Sequence, residues 1–263
     1  MSLIENSSNG VVFMTSPNIK TTHAFTTRFG GVSQGIYSSL NLGLNLKDDP
    51  AHVRENYSIV CRVLGFSADD LVHSGQVHGS SVRVVTRKDC GALFVGATQE
   101  ADALITNEAG VALMVFVGDC LPILLHDPVR RVIGVVHSGW RGTAADIAGA
   151  AVEKMADCFG CPPADIRAAI GPCISRCCFE TDEDVPQAIR HNLREQAESC
   201  IEMRENKFMV DLKETNRILL SRAGVRDITI SDECTSCLCD KYWSHRKTKG
   251  RRGSQTAIIM LNA

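Results

Sequence analysis

The chain has 263 residues, 44% of them apolar and 22% charged, with a formal net charge of −2. This length can bury one large domain or two small ones, and the near-neutral charge removes the usual electrostatic argument for a nucleic-acid partner. The longest apolar run, Val111 to Val117, is too short to cross a bilayer, and MSLIENSSNG has no basic region followed by an apolar core, so a cytoplasmic chain without membrane attachment is expected.

In chain order, apolar runs predict strands at Val11 to Met14, His23 to Thr27, Val82 to Val85, Val111 to Val117, Ile123 to Leu125, Val132 to Val136, Ile166 to Ile170, Phe208 to Val210, Ile228 to Ile230 and Ala257 to Leu261. Helices interrupt them. Asp49-Pro50 supplies an N-cap and a first-turn proline; Val53, Tyr57, Val60, Cys61 and Leu64 then share one face, and Gly65 closes the helix. A second helix starts at Thr143, with Ala144, Ile147, Ala148, Ala151, Val152, Met155 and Phe159 on one stripe and Thr143/Asp146 resembling a capping box. Further helices are predicted over Glu183 to Ala197 and Leu212 to Ala223, the latter capped by Asp211. Strands that come both in sequential pairs and alternating with helices predict an α+β fold: a single domain of layered mixed β-sheets flanked by helices. No repeat or long linker divides the chain, and the region from Val111 to His137 reads as a hairpin, which disfavours a doubly wound sheet.

Twelve cysteines in a chain expected to stay in a reducing compartment read mostly as small buried apolar residues. The pairs Cys158/Cys161 and Cys234/Cys237, with Cys239 nearby, also have the spacing of a structural zinc knot.

The most informative stretch is GDCLPILLHDPVRRVIGVVHSGWRG. Asp127-Pro128-Val129-Arg130 is a turn-type tetrapeptide between two apolar strands, so the chain doubles back and can bring Cys120 to His137. That is either a metal-site geometry or a Cys/His dyad. His78, in HSGQVHG, is a third candidate ligand; one cysteine and two histidines leave a zinc ion one position short of its tetrahedron, the pattern of a catalytic site able to accept water or phosphate. Asp119 reads as a base, as the group that orients a ligand histidine, or as a turn cap. The SGWRG turn before the second helix suggests an anion site to which Arg141 can contribute, against the alternative of a surface arginine packed on Trp140. Arg28 precedes a Gly30-Gly31 turn in a polar loop. KYWSHRKTKGRRG gathers Arg246, Lys247, Lys249, Arg251 and Arg252 beside Tyr242 and Trp243.

TTRFGGVS, SLNLG, QVHG, ADALIT, GDCLPILLHD, HSGWRGT, IGPCISRCCFE, DECT and SHRKTKGRRG, in this order, resemble the YfiH-type laccase-domain family, also described as polyphenol oxidoreductase-like and as purine nucleoside phosphorylase. The resemblance spans nearly the whole chain, residues 1–263, and implies a single YfiH/CNF-like catalytic domain. It implies zinc, with copper as the alternative metal, held by His78, Cys120 and His137. The implied activity is phosphorolysis of adenosine, inosine and S-methyl-5'-thioadenosine together with deamination of adenosine, so the expected partners are purine nucleosides and phosphate. Under this reading Cys120, His137, Asp119 and Arg28 are the catalytic candidates, and Arg28, Arg141 and Arg246 the candidates for phosphate or ribose contacts. Ser244-His245-Arg246 departs from the family's Ser-Tyr-Arg pattern, and the cysteines of IGPCISRCCFE stand apart from it.

Other functions compete with this one. A multi-copper oxidase normally needs His-X-His pairs, and the eight histidines here include none. A metal-free hydrolase would use Cys120 as nucleophile and His137 as base. A peptidoglycan-editing factor would bind a mis-made cell-wall precursor, and a non-catalytic interaction protein would have no use for an open metal position.

Overall fold

The computed structural model describes residues 2–97 and 99–262. In chain order its strands are β1 (Ile4–Ser8), β2 (Val11–Thr15), β3 (Thr22–Thr26), β4 (Leu71–Val72), β5 (Val82–Val84), β6 (Ala103–Thr106), β7 (Ala112–Val117), β8 (Leu121–Asp127), β9 (Val132–Ser138), β10 (Arg167–Ile170), β11 (Glu180–Thr181), β12 (Ile201–Arg204), β13 (Lys207–Val210), β14 (Asp227–Ile230) and β15 (Gln255–Met260). The helices are α1 (Pro50–Leu64), α2 (Trp140–Ala144), α3 (Ile147–Phe159), α4 (Asp184–Leu193), α5 (Leu212–Arg222) and α6 (His245–Thr248).

Two six-stranded mixed sheets carry the fold. The first runs β1-β2-β3-β15-β7-β4, the second β14-β10-β8-β9-β6-β5, and a small sheet β11-β13-β12 stands apart. Leu113, Val115 and Val117 of β7 and Ala257 and Ile259 of β15 meet Leu104, Leu124, Ile133 and Val135 of the second sheet in one buried cluster. The alternate residues Ala112, Met114, Ile258 and Met260 face Val53, Tyr57 and Val60 of α1. On the outer side of the second sheet, Ile105, Ile123, Leu125 and Val136 pack on Ile147, Ala151 and Met155 of α3 and on Leu219 of α5. The order of layers is therefore helix, sheet, sheet, helix. Strands covered on both faces carry apolar residues on both, which is why β7, and β8 from Leu121 to Leu125, read as continuous hydrophobic runs rather than alternating ones.

This is the expected α+β domain of layered mixed sheets with flanking helices, and each strand predicted from an apolar run is present within a few residues. Asp49 caps α1 through its side chain on the Ala51 N–H, and Gly65 ends that helix in the left-handed conformation. Asp211 caps α5 by accepting the Glu214 N–H. The Asp127 turn is also as read: Asp127 Oδ1 accepts the N–H groups of Val129 and Arg130, each at 2.9 Å, and β8 pairs antiparallel with β9.

Several expectations need correction. The hairpin is confined to β8 and β9; β7 lies in the other sheet, so Gly118, Asp119 and Cys120 form a crossover between layers. The helix after the SGWRG turn is two helices. The first begins at Trp140 and lasts five residues; Asp146 then adopts φ 57° and caps α3 through Gly149 N–H, so Thr143 is inside a helix instead of capping one. The helix expected over Glu183 to Ala197 ends at Leu193, where Arg194 takes φ 54° and a 3-10 turn follows. Only Cys61, Cys161, Cys173, Cys200 and Cys234 are buried; the other cysteines are half-buried or exposed, and none of the twelve is in a disulfide. Among the described residues, no helix is long and apolar enough to cross a membrane.

Candidate metal centre

Cys120, His137 and a residue absent from the sequence-based candidates, Asp102, lie at one end of three adjacent strands. Cys120 immediately precedes β8, His137 stands opposite Pro122 near the end of β9, and Asp102 precedes β6, whose Ala103 pairs with Val136. His78 reaches the same point from the loop between β4 and β5. That loop is fastened to the edge of β7: the Gln76 side chain donates to Phe116 O at 2.8 Å and accepts Phe116 N–H at 2.7 Å.

The ligand atoms of His78, Cys120 and His137 all lie within 4.8 Å of one another. His78 Nε2 is 3.8 Å from Cys120 Sγ, and the two imidazoles cross at 80° with centroids 4.8 Å apart. Such convergence needs a glycine. A Cβ at Gly139 would sit 2.8 Å from His78 Cδ2 and 3.4 Å from Cys120 Sγ, so position 139 is the floor of the cluster. Exposure runs in one direction, from buried His137 through half-buried Cys120 to exposed His78, which leaves one side open to a ligand.

Asp102 organises both histidines. Its Oδ1 accepts His137 Nδ1–H at 2.7 Å and the His78 backbone N–H at 3.0 Å, while Oδ2 accepts the N–H groups of Gly79 at 2.8 Å and Val77 at 3.2 Å. Its own backbone carbonyl accepts the His137 N–H at 2.7 Å. Burial opposes ionisation of Asp102, but the His137 hydrogen bond and the backbone N–H groups outweigh it and hold the carboxyl below its ordinary range. With Nδ1 committed to Asp102, His137 turns Nε2 toward the cluster. In the metal-free chain, burial raises the Cys120 thiol, yet its hydrogen bonds to His137 and His78 bring it down to about 6. Burial likewise works against the His137 cation and is outweighed by Asp102 and Cys120, which lift it to about 9. A thiolate and oriented imidazole nitrogens are the donor set that a borderline-soft divalent ion takes.

Asp119, expected as a base, as the orienter of a histidine or as a turn cap, lies beside Cys120. Its Oδ1 accepts Thr235 Oγ1–H and its Oδ2 the Arg246 N–H, both at 2.6 Å, so its carboxylate joins two distant loops beside Cys120. Arg246 donates to the carbonyls of Cys178 and Glu180, at 3.0 and 2.9 Å. Arg28 donates to Ser38 O and Cys239 O and lies 4.0 Å over the Trp243 ring. Arg141 is stacked 4.2 Å over Trp140, the packing foreseen as its alternative role. Arg252, read from sequence only as part of a basic loop, lies flat against Gly118, where an added Cβ would come within 2.6 Å of its Cζ. Burial lowers its pKa, and the charges of Asp119 and Cys120 partly offset this. Its Nε is buried without a partner. The cavity of about 530 Å³ bounded by Gln76, Phe94, Phe116 and Ser254 does not include the three ligand residues in its wall.

The signal for Asp102 was present in ADALIT, an acidic residue opening an otherwise apolar strand. A lone aspartate there has several commoner explanations, and only the pairing of β6 with β9 shows which histidine it serves.

The fold is a layered α+β domain, and at one sheet end it gathers one cysteine and two histidines in a group that could hold a metal ion. Residues 22–262 match the family described as multi-copper polyphenol oxidoreductase laccase, and the chain belongs to that family. It is similar to "Purine nucleoside phosphorylase" of Deinococcus radiodurans, 40% identical over 252 residues that cover 96% of this chain and 94% of that protein. It is also similar to "Purine nucleoside phosphorylase YlmD" of Geobacillus stearothermophilus, 39% identical and covering 89% of this chain and 88% of that one. The crystal structure of YlmD from Geobacillus stearothermophilus superposes with a TM-score of 0.93 at 35% identity, covering 98% of each chain. The copper named in the family description does not suit the donors here as a multi-copper cluster: among the described residues, the metal-ligand group that contains histidine has two imidazoles and one thiolate.

Proposed function

We propose that this chain is a zinc-dependent purine nucleoside phosphorylase, one catalytic domain working in a compartment that keeps its thiols reduced. Its proposed substrates are adenosine, inosine and S-methyl-5'-thioadenosine, and deamination of adenosine accompanies phosphorolysis. The observation that carries the reading is the convergence of His78, Cys120 and His137 with Asp102 behind both histidines, in a chain that aligns over nearly its whole length with relatives named for this activity.

His78 Nε2, Cys120 Sγ and His137 Nε2 would hold the ion. When bound, zinc supplies a Lewis acid with one position open to a small oxygen ligand. Phosphorolysis forms a bond between a phosphate oxygen and ribose C1′ and breaks the bond from C1′ to the purine nitrogen. The electron pair leaves with the base, which then takes up a proton. The chain's task is to hold the dianion against the sugar. Arg252, packed on Gly118 two residues before Cys120, spends Nη1 on Gly253 O and Ser254 Oγ, and the rest of its guanidinium would be the donor to that anion. Arg246 and Arg28 spend donors on backbone carbonyls, so their contribution is to keep the loops around Asp119 and Trp243 in position, while exposed Arg141 remains a second anion contact.

A second reading, a metal-free hydrolase with Cys120 as nucleophile, is favoured by the contact between Cys120 and His137, in which the imidazole lowers the thiol and the thiol raises the imidazole. There His78 would serve only as a further hydrogen-bond partner of the thiolate, at 3.8 Å, whereas metal binding uses all three side chains as donors. The deciding experiment incubates metal-quantified protein with adenosine, with and without phosphate, and follows adenine, ribose 1-phosphate and inosine. Phosphate-dependent adenine release supports the proposal. The absence of any turnover by zinc-loaded protein overturns it.

A further inference from the structure

A second group of metal-type donors lies outside the site just described. Cys177 and Cys178 follow β10, and Cys234 and Cys237 follow β14. Because β10 and β14 are parallel neighbours, both segments leave the same end of the sheet and run side by side. Cys173 and Cys234 form a bridge between them, and Thr235 donates its N–H to Cys173 O at 3.0 Å. The four sulfurs all lie within 4.8 Å of one another. Cys177 Sγ is 3.8 Å from Cys178 Sγ and 3.6 Å from Cys237 Sγ, and Cys178 Sγ is 3.4 Å from Cys237 Sγ.

These separations suit four sulfurs sharing one metal ion and are too long for a disulfide bond. A tetrahedral zinc with bonds of about 2.3 Å to sulfur has ligand sulfurs about 3.8 Å apart, whereas a disulfide brings two sulfurs to about 2.05 Å. We infer that Cys177, Cys178, Cys234 and Cys237 form a second, closed metal site: a tetrathiolate zinc centre that clasps the loops after β10 and β14. Four thiolates around one divalent ion carry excess negative charge, and the surroundings supply compensation. Ser175 N–H donates to Cys234 Sγ at 3.4 Å. The buried Lys213 ammonium binds Ser175 Oγ at 2.9 Å and Glu233 O at 2.7 Å, on residues flanking the ligands.

The clasp differs from the zinc knot suggested by spacing alone. Cys234/Cys237 takes part, but its partners are the adjacent pair Cys177/Cys178, and Cys158, Cys161 and Cys239 are outside it. Its position also reaches the first site. Cys178 O accepts from Arg246, and Thr235, between two ligands, holds Asp119 beside Cys120.

The test removes the first site so that the two proposals fail separately. The double variant His78→Ala, His137→Ala, purified under reducing conditions from zinc-replete cells, is expected to retain about one zinc per chain, with X-ray absorption showing only sulfur ligands at about 2.3 Å. In the otherwise native chain, Cys177→Ser with Cys237→Ser should lose one equivalent and keep the other. If that variant does not fold, the double histidine variant decides alone. Retention of no zinc, with the four thiols alkylated as free groups or a disulfide found between Cys178 and Cys237, overturns the inference.

Discussion

Asp102 Oδ1 accepts the side-chain N–H of His137 and the backbone N–H of His78 at once, at 2.7 and 3.0 Å. One buried oxygen therefore sets the tautomer of one ligand and the backbone position of the other, where His78 takes the left-handed conformation at φ 61°. Asp102→Asn replaces one acceptor oxygen by an N–H2 group that must face a donor. The expected result is a loss of zinc affinity of about 10–100-fold, measured by competition with a chelator. Unchanged affinity would remove Asp102 from the account.

Gly139→Ala tests the convergence itself. The added methyl would stand 2.8 Å from His78 Cδ2, so His78 must swing away from Cys120. Gly139 has φ −65°, which alanine adopts freely. The variant should fold with nearly native melting behaviour, bind zinc weakly and lose turnover, as read by calorimetry beside metal analysis. Full zinc occupancy would show that the two ligands need not approach so closely.

Arg252→Gln is expected to raise KM for phosphate about tenfold, near 1.4 kcal/mol for one charge-assisted contact, with a smaller change in KM for nucleoside. Steady-state kinetics at varied phosphate make the comparison. An equal rise in both constants would indicate a general disturbance of the Gly118 crossover instead of an anion contact.

Two buried histidines predict acid lability. His126 is lowered to about 4, by burial first and then by Arg167, against the opposing pull of Asp127; its Nδ1 accepts the Lys20 N–H at 3.3 Å. Burial lowers His23 as well, and its ring accepts Ser16 N–H and donates to Thr21 O. Both are neutral in the fold and titrate near 6.5 once unfolded. Their contribution is therefore complete above about pH 6.5 and is lost as pH falls toward 4, because the unfolded chain binds the extra protons. For His126 alone the shift amounts to about 3 kcal/mol. Denaturant unfolding between about pH 6.5 and 5 should show falling stability, with a shallower slope in His126→Asn. Equal slopes would contradict the assignment.

Much of the architecture was legible in the chain because burial on both faces writes itself as long apolar runs, as in Val111 to Val117, and because Asp49-Pro50, Asp211 and Gly65 mark helix ends by local chemistry. The polar, exposed β1 has no such signature, and the apolar stretch of β6 is too short to provide one. Which sheet a strand joins was not legible either: β7 and β8 are separated by three residues yet belong to different layers. The three candidate ligands could be named because cysteine and histidine at strand ends are chemically conspicuous. Asp102 could not, since its role exists only through the pairing of β6 with β9. The meeting of Cys177/Cys178 with Cys234/Cys237 depends in the same way on β10 lying beside β14.

Zinc dependence is decided by phosphate-dependent release of adenine from adenosine by the zinc-quantified native chain, compared with His78→Ala and with chelated and re-zincated native protein. A zinc-dependent phosphorylase shows turnover that disappears with the His78 imidazole, disappears on chelation and returns with zinc. Turnover that survives chelation and is instead abolished by alkylation of Cys120 would contradict that dependence.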